Sequence, residues 1–199
     1  MSGAGAIEVV PATLERWPDV LTMLGGELDK GCWCQSWRGR DDIARHTGEP
    51  RPQTLRRQLE ADRPPPGYLA YVDGQVAGWA GVGVRTRVPR LVNSRTIPAL
   101  DDAQVWVIGC FLIRVGYRRR GVASALLAGV VDAARAARAP GVEAYPIDPA
   151  GARVDVGFGY VGLASMFDAA GFRRVFTTDA HSAGLPRLLV RLDFPSEAG

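Results

Sequence analysis

The sequence lacks long hydrophobic runs, because no stretch approaches the roughly 18 uninterrupted apolar residues of a membrane-spanning helix. Met1 to Val10 also lacks the basic start and apolar run of a signal peptide. Internal repeats and low-complexity blocks are missing as well. These absences predict a cytoplasmic protein with no membrane partner.

The sequence has few cysteines and histidines, and its net charge is small. The three cysteines are an odd number, and Cys32 and Cys34 are too close in sequence to pair with each other, so we expect reduced thiols. With Cys110 and only two histidines besides, a four-ligand metal site is disfavoured, and no metal is predicted. The 24 basic and 21 acidic residues leave a net charge of +3, too small to indicate a nucleic-acid partner.

The 199 residues, 47% of them apolar, are enough for one domain over residues 1–199. Asp73-Gly74 between two apolar runs predicts a hairpin of Tyr68–Val72 and Gln75–Val84. The other predicted strands are Ile7–Val10, Gln104–Ile113, Val142–Ile147, Phe172–Thr177 and Arg187–Asp193. The predicted helices are Leu14–Leu24, Thr54–Asp62, Gly121–Arg138 and Leu163–Ala170, with Asp29–Pro52 a long loop or broken helix. This order predicts a mixed α/β sheet flanked by helices.

The central feature is the apolar strand ending at Ile113, followed by a basic turn of Arg118, Arg119, Arg120 and Gly121 and then a long helix. Gly121 permits close approach of the backbone to a ligand, and the first amides of a helix have no partner within it. Helix N-termini favour anions by roughly 0.3–2 kcal/mol, and the arginines add charge. The turn therefore predicts a phosphate site; a solvated basic turn is the structural alternative.

Arg118 to Ala123 matches Gln/Arg-x-x-Gly-x-Gly/Ala, and the chain resembles the GNAT acetyltransferase superfamily, which has this pyrophosphate motif after its fourth strand. Met166 to Phe172 resembles the closing helix of that superfamily and its entry into the sixth strand. The Cys32–Cys34 segment with the later Glu-Ala-Tyr-Pro is similar to one bacterial branch. The resemblance places an acetyl-CoA-binding core at about residues 104–140 and a closing helix and strands at 161–193.

The resemblance implies a mostly antiparallel sheet with a V-shaped split between strands 4 and 5. Acetyl-CoA is the implied co-substrate, its pantetheine pairing with the backbone of Phe111, Leu112 and Ile113. Its pyrophosphate would meet the amides of the basic turn, Val122 and Ala123 included. The implied activity is direct N-acetyl transfer to a primary amine of a small molecule or peptide. By analogy with the superfamily, a homodimer is also possible.

The catalytic groups are harder to assign from this resemblance. Phe167 stands where the superfamily often has a general-acid tyrosine, and Val107 where some members have a glutamate. Glu143, on the strand beside the V, is the candidate base, with a salt bridge as its alternative. Tyr160 is the substitute acid, with packing or a lid as its alternative.

The aromatic residues near the cysteines, Trp33 and Trp37, are candidates for the acceptor pocket, because aromatic faces attract cationic amines. Core packing is the alternative for both tryptophans. Cys110, within the central strand, is expected to be a small core residue.

Two other functions stay open from the sequence alone. Loss of catalysis would leave a non-catalytic acyl-CoA sensor of the same fold. Gly157 to Gly162 reads G-x-G-x-x-G, with Asp179 beyond it, which would indicate an NAD-dependent oxidoreductase. Only 20 residues follow Asp179, too few to complete a dinucleotide fold.

Overall fold

A seven-stranded sheet organises the protein in a computed structural model, which describes residues 6–25, 31–150 and 159–195. The strands are β1 (Ile7–Pro11), β2 (Gly67–Val72), β3 (Gln75–Val84), β4 (Trp106–Ile113), β5 (Gly141–Ala144), β6 (Arg173–Ser182) and β7 (Leu185–Asp193). Their spatial order is β1-β2-β3-β4-β5-β7-β6. The β4–β5 pair is parallel and every other neighbouring pair is antiparallel.

Helices cover both faces of the sheet. The helices are α1 (Trp17–Leu24), α2 (Gln35–Arg38), α3 (Asp42–Thr47), α4 (Arg51–Ala61), α5 (Pro89–Val92), α6 (Val122–Ala136) and α7 (Ala164–Ala169). On one face, α6 buries Val122, Leu126 and Val130, in the 3- to 4-residue spacing of an amphipathic helix, in the main hydrophobic core. On the other face, α1, α2 and α4 pack over Leu69 and Trp79.

The sheet splits between its two parallel strands. Trp106–Ile108 of β4 pairs with Val142–Ala144 of β5, but β5 ends there while β4 continues to Ile113. The next strand-like contacts of that chain are bridges from Ile147 to Arg187 and Leu163. The result is the predicted V, with the end of β4 as one wall.

The predicted fold class is confirmed by this mixed, mostly antiparallel sheet. The Asp73-Gly74 hairpin and the long helix after the basic turn form as expected. In the described part of the predicted loop or broken helix, residues 31–52, lie the short helices α2 and α3 and the start of α4. The strand predicted over Val142–Ile147 is shorter, and the last two strands are longer and form a hairpin around the turn at Ala183 and Gly184.

The dinucleotide-binding alternative does not fit this sheet. Its described strands form one parallel pair, instead of the several parallel strands of a dinucleotide fold. Gly157 and Phe158 lie outside the described residues, and Gly159–Val161 forms a single 3₁₀ turn. Within the described ranges, no helix combines the length and apolar character needed to cross a membrane.

Candidate active site

The basic turn forms a backbone cradle at the start of α6. Arg119 and Gly121 have φ angles of 59° and 81°, and Gly121 is the residue that caps the helix. The first helical bond runs from the Ala125 N–H to the Gly121 carbonyl, so the amides of Val122 and Ala123 have no partner within the helix. The Val122 side chain is buried in the core against β3, so the start of α6 is fixed to the sheet.

Three cations surround this cradle. Arg118, Arg119 and Arg120 are all exposed, and none forms an ion pair with another residue in the described part of the chain. The Arg118 Nε donates to the Ile113 carbonyl at 3.3 Å, and the Arg120 guanidinium lies 5.4 Å from the Tyr117 ring centroid. Free amides and unpaired guanidinium groups fit the pyrophosphate of a nucleotide cofactor.

The end of β4 offers an open backbone edge beside the cradle. Phe111, Leu112 and Ile113 pair with β3 on one side, and no described strand pairs with them on the other. The side chains of Phe111 and Ile113 pack on the α6 face, while Leu112 is 40% exposed. The open edge is therefore available for an extended ligand to add to the sheet.

A cavity of about 460 Å³ lies at the split, lined by residues 110–112 of β4 together with Cys34, Trp37, Tyr160 and Arg187. Cys32 and Arg90 also contribute to its wall, and none of its described lining residues is a carboxylate. The cavity and the cradle thus share β4, with the cavity at the V and the cradle just beyond the strand.

Glycines allow α2 to lie directly on the sheet at this cavity. β4 has an extra residue, Gly109, between the residues that pair with Gly81 and Val82 of β3. A Cβ on Gly109 would lie 2.1 Å from the Trp37 ring, and one on Gly81 would lie 2.4 Å from the Cys34 sulfur. Trp37 and Cys34 occupy the space that side chains on these strands would fill.

The Cys34 sulfur has three close polar partners. The indole N–H groups of Trp37 and Trp79 donate to it at 3.1 and 3.2 Å, and the Cys110 sulfur is 3.1 Å away. Burial opposes ionisation, but these hydrogen bonds and the charge of Arg38 lower the pKa of Cys34 to about 7. The hydrogen bond to Cys34 and burial raise the pKa of Cys110 well above its usual value.

Cys110 packs against the hydrophobic core, in agreement with its sequence prediction as a small core residue. It is only partly buried and lines the cavity beside Cys34. Across the described ranges, no group of three or more His, Cys, Asp or Glu side chains is placed to hold a metal ion.

Tyr160 lies in the cavity wall, as its sequence assignment to the site requires. The Arg187 Nη2 donates to its hydroxyl at 2.7 Å, and the guanidinium lies 5.7 Å from its ring centroid. The Arg187 Nε is buried and has no hydrogen-bond partner, and Arg187 has no acidic partner among the described residues. The cavity therefore contains a cation without a counter-ion.

Glu143 is not in the cavity wall. Its carboxylate is 1% exposed and accepts from Arg191 at 3.1 Å and from the Tyr145 hydroxyl at 3.0 Å, with Arg85 3.9 Å away. Burial raises the pKa of Glu143, and these three partners partly offset that effect. The salt bridge left open by the sequence is therefore formed, and a role as base stays a prediction.

Two other expected positions are in the core. Trp33 is 1% exposed and stacks on Trp17 with ring centroids 5.9 Å apart, so it packs beneath α1 instead of lining the cavity. Phe167 is fully buried against Phe111 and Phe172. Of the two tryptophans assigned to the acceptor pocket, Trp37 alone reaches it.

Comparison with known families agrees with this geometry. The sequence profile of the acetyltransferase (GNAT) family matches residues 34–149, more than half of the chain, including β4, the cradle and α6. The chain belongs to the GNAT family. The protein is thus an acyltransferase that uses acetyl-CoA, and the cradle and the open β4 edge fit that co-substrate.

Solved structures show that the GNAT fold extends over nearly the whole chain. One such structure, from Corynebacterium glutamicum, is described as histone acetyltransferase HPA2 and related acetyltransferase. It is 17% identical to this chain, with a TM-score of 0.57, and the match covers 98% of this chain and 99% of that one. A NatC complex bound to Gag peptide and CoA has a chain 12% identical (TM-score 0.56; coverage 95% and 99%). PaiA N-acetyltransferase from Thermoplasma acidophilum, in complex with coenzyme A, is 11% identical (TM-score 0.52; coverage 95% and 99%).

At such low identities these structures show a shared fold and nothing of the acceptor. No protein of curated function gives a significant sequence match.

Proposed function

We propose that this GNAT protein transfers an acetyl group from acetyl-CoA to a primary amine of a small molecule or peptide by direct attack, without a covalent enzyme intermediate. The observation that carries the proposal is the continuity of three features: the Arg118–Ala123 cradle, the open edge of Phe111–Ile113 and the cavity at the split. Pyrophosphate, pantetheine and thioester occur in that order in acetyl-CoA.

The cradle holds the phosphates in this proposal. Arg118, Arg119 and Arg120 supply charge, and the amides from Gly121 to Ala123 supply donors. The pantetheine amides pair with the β4 edge and bring the thioester to the cavity beside Cys110 and Leu112. A neutral amine in the cavity then attacks the thioester carbonyl, and the CoA thiolate leaves.

The charge of the cavity favours one class of acceptor. Arg187 and Arg90 line it, and no described carboxylate does, so an acceptor that carries its own carboxylate gains a charge-assisted contact. Trp37 adds an apolar face. The cavity therefore suits an amino acid or an acidic peptide better than a polyamine, whose cations would meet the two arginines.

Calorimetric titration with acetyl-CoA, and separately with NAD, tests the co-substrate. We expect micromolar binding of acetyl-CoA and no binding of NAD. Binding of NAD alone would contradict the proposal. CoA release is then followed with amino acids, acidic peptides and polyamines as acceptors. Acetyl-CoA binding without turnover across this panel would instead favour a non-catalytic sensor, the function suggested by Phe167 and Val107.

A further inference from the structure

The acetyl-transfer cavity has no described carboxylate to take the proton of the acceptor amine, but it contains two thiols in contact. Cys34 and Cys110 are 76 residues apart in sequence, and their sulfurs are 3.1 Å apart. We propose that Cys34 and Cys110 form a thiol–thiolate pair that accepts the proton of the acceptor amine. This inference rests on the proposed acetyl transfer and adds its proton acceptor.

The surroundings of Cys34 stabilise a thiolate. A sulfur that accepts from two indole N–H groups, with a second thiol 3.1 Å away that can also donate to it, is matched to a negative charge, because indole nitrogen is a donor only. Trp33 and Cys34 have φ angles of 49° and 60°, a left-handed conformation that is uncommon outside glycine. This backbone places the sulfur against Gly81, where a larger residue on β3 would exclude it.

The charges around the pair agree with a single shared anion. Arg38 is 5% exposed, and its guanidinium lies 5.2 Å from the Trp37 ring centroid and donates to the Val82 carbonyl. The more exposed carboxylate of Asp62 lies 3.6 Å from it, outside the cavity lining, and offsets part of its charge. Arg90 and Arg187 line the cavity, and Cys32 is an exposed thiol in the same wall. The Trp79 contact from β3 is neutral. A cationic surrounding favours the mono-anionic pair over the neutral one.

Two thiols this close do not both ionise. One proton leaves near pH 7 and the second only far above the usual range of a thiol, so the pair titrates as a unit. At neutral pH one sulfur is a thiolate and the other donates to it. The arrangement is the sulfur counterpart of two carboxylates that share a proton.

The proton balance is simple. The ammonium form of the acceptor gives one proton to Cys110, the less buried of the two residues, while Cys110 passes its own proton to the Cys34 thiolate. The neutral amine forms the new C–N bond with the acetyl carbon, and the C–S bond to CoA breaks. The nitrogen then carries two protons, of which the CoA thiolate takes one and the amide product keeps the other, and the pair releases its proton to water.

The first test needs no acceptor. In a Cys32→Ala parent, which retains only the pair, thiolate absorbance in the ultraviolet is followed against pH. We expect one thiolate to appear with an inflection near pH 7. Cys110→Ala and Trp37→Phe each remove a donor to Cys34 and should move the inflection upward, and Cys110→Ser, which keeps a donor, should move it less.

An inflection at the pKa of about 8.5 of an ordinary thiol in the parent would overturn the pair. Unchanged inflections in both donor variants would also overturn it. Calorimetry with acetyl-CoA on each variant separates this failure from failure of the proposed function. If the parent protein does not bind acetyl-CoA, the proposed function is wrong. If it binds acetyl-CoA normally but its thiols titrate like ordinary thiols, only the proposed thiol–thiolate pair is wrong.

The second test uses turnover with an acceptor identified in the amine panel. The parent should show kcat/KM rising through pH 7, and Cys34→Ser and Cys110→Ser should lose this rise and at least about tenfold in rate at pH 7. Unchanged pH profiles would contradict the proposal. The intact mass of the protein should be unchanged after incubation with acetyl-CoA alone. An acetylated cysteine would contradict the proposal, because the thiol would then act as a covalent nucleophile and not as a proton acceptor.

Discussion

The indole ring of Trp37 lies on the bare backbone of Gly109, so close that a Cβ on Gly109 would be 2.1 Å from the ring. Gly109 is the extra residue of β4 at the point where the sheet splits. The position of Trp37 in the cavity therefore depends on the absence of a side chain on the neighbouring strand.

Gly109→Ala should destabilise the fold by about 2–3 kcal/mol, because the added methyl group overpacks a rigid contact. In a Trp37→Ala background the same change should cost less than about 1 kcal/mol, since the ring is no longer there. A double-mutant cycle from urea unfolding measures this difference. Additive effects of the two substitutions would contradict the direct contact.

Gly121→Val should reduce acetyl-CoA affinity by roughly a hundredfold, about 2.8 kcal/mol, because a branched side chain blocks the cradle. Gly74→Val is the matched control. Gly74 also has a positive φ, 74° against 81°, and open space around it, but it lies in the β2–β3 turn. Both variants should lose about 1–3 kcal/mol of stability through backbone strain, and only the first should lose binding in calorimetry.

Glu143→Ala should cost about 3 kcal/mol of unfolding free energy, because it leaves the buried Arg191 with fewer partners. Asp193→Ala, which removes a half-exposed partner of the same arginine, should cost less than about 1 kcal/mol. Chemical denaturation of both variants measures this contrast. A stable Glu143→Ala protein with lost turnover would instead support Glu143 as the base.

Arg187→Gln should weaken acceptors that carry a carboxylate and leave acetyl-CoA binding unchanged. The reason is the loss of the half-buried cation in the cavity wall. KM for an amino acid or acidic peptide should rise about tenfold or more, roughly 1.4 kcal/mol, with little change in kcat. Arg173→Gln is the control, because Arg173 pairs with Asp193 on the surface. Equal effects of both substitutions would argue against an anion contact.

Stability should depend on pH through Cys34. Hydrogen bonds and Arg38 outweigh burial and lower its pKa from 9.0 to about 7, so between these values the unfolded chain binds more protons than the folded one. The stability contributed by Cys34 therefore rises with pH between 7 and 9 and is lost as the pH falls through 7. Cys34→Ala in the Cys32→Ala parent should flatten this rise in urea denaturation; a rise of the same size would disprove the assignment.

The local sequence was enough to predict the cradle, because strand, glycine turn and helix are consecutive in the chain. The same holds for the Asp73-Gly74 hairpin. The thiol pair was missed, since Cys34 and Cys110 are brought together only by the sheet. The glycines at 81 and 109 were the available signal, because strand positions without side chains leave room for a neighbour.

The charged residues illustrate the same limit. Glu143 and Arg191 are 48 residues apart, and only the β5–β7 pairing shows that each faces the other. Periodicity predicted a strand at Glu143 but could not identify the partner that occupies its carboxylate. Trp33 and Trp37 are four residues apart, yet one packs under α1 and the other reaches the cavity.

Three residue pairs join β4 to β5, so the sheet consists of two smaller sheets, β1–β4 and β5–β7, that are connected by a short stretch of strand pairing. A ligand that pairs with the rest of the β4 edge would extend this strand pairing with atoms that do not belong to the chain. In the proposed binding mode acetyl-CoA would act as an added strand as well as an acetyl donor, and the stability of the contact between the two half-sheets would depend on whether the donor is bound.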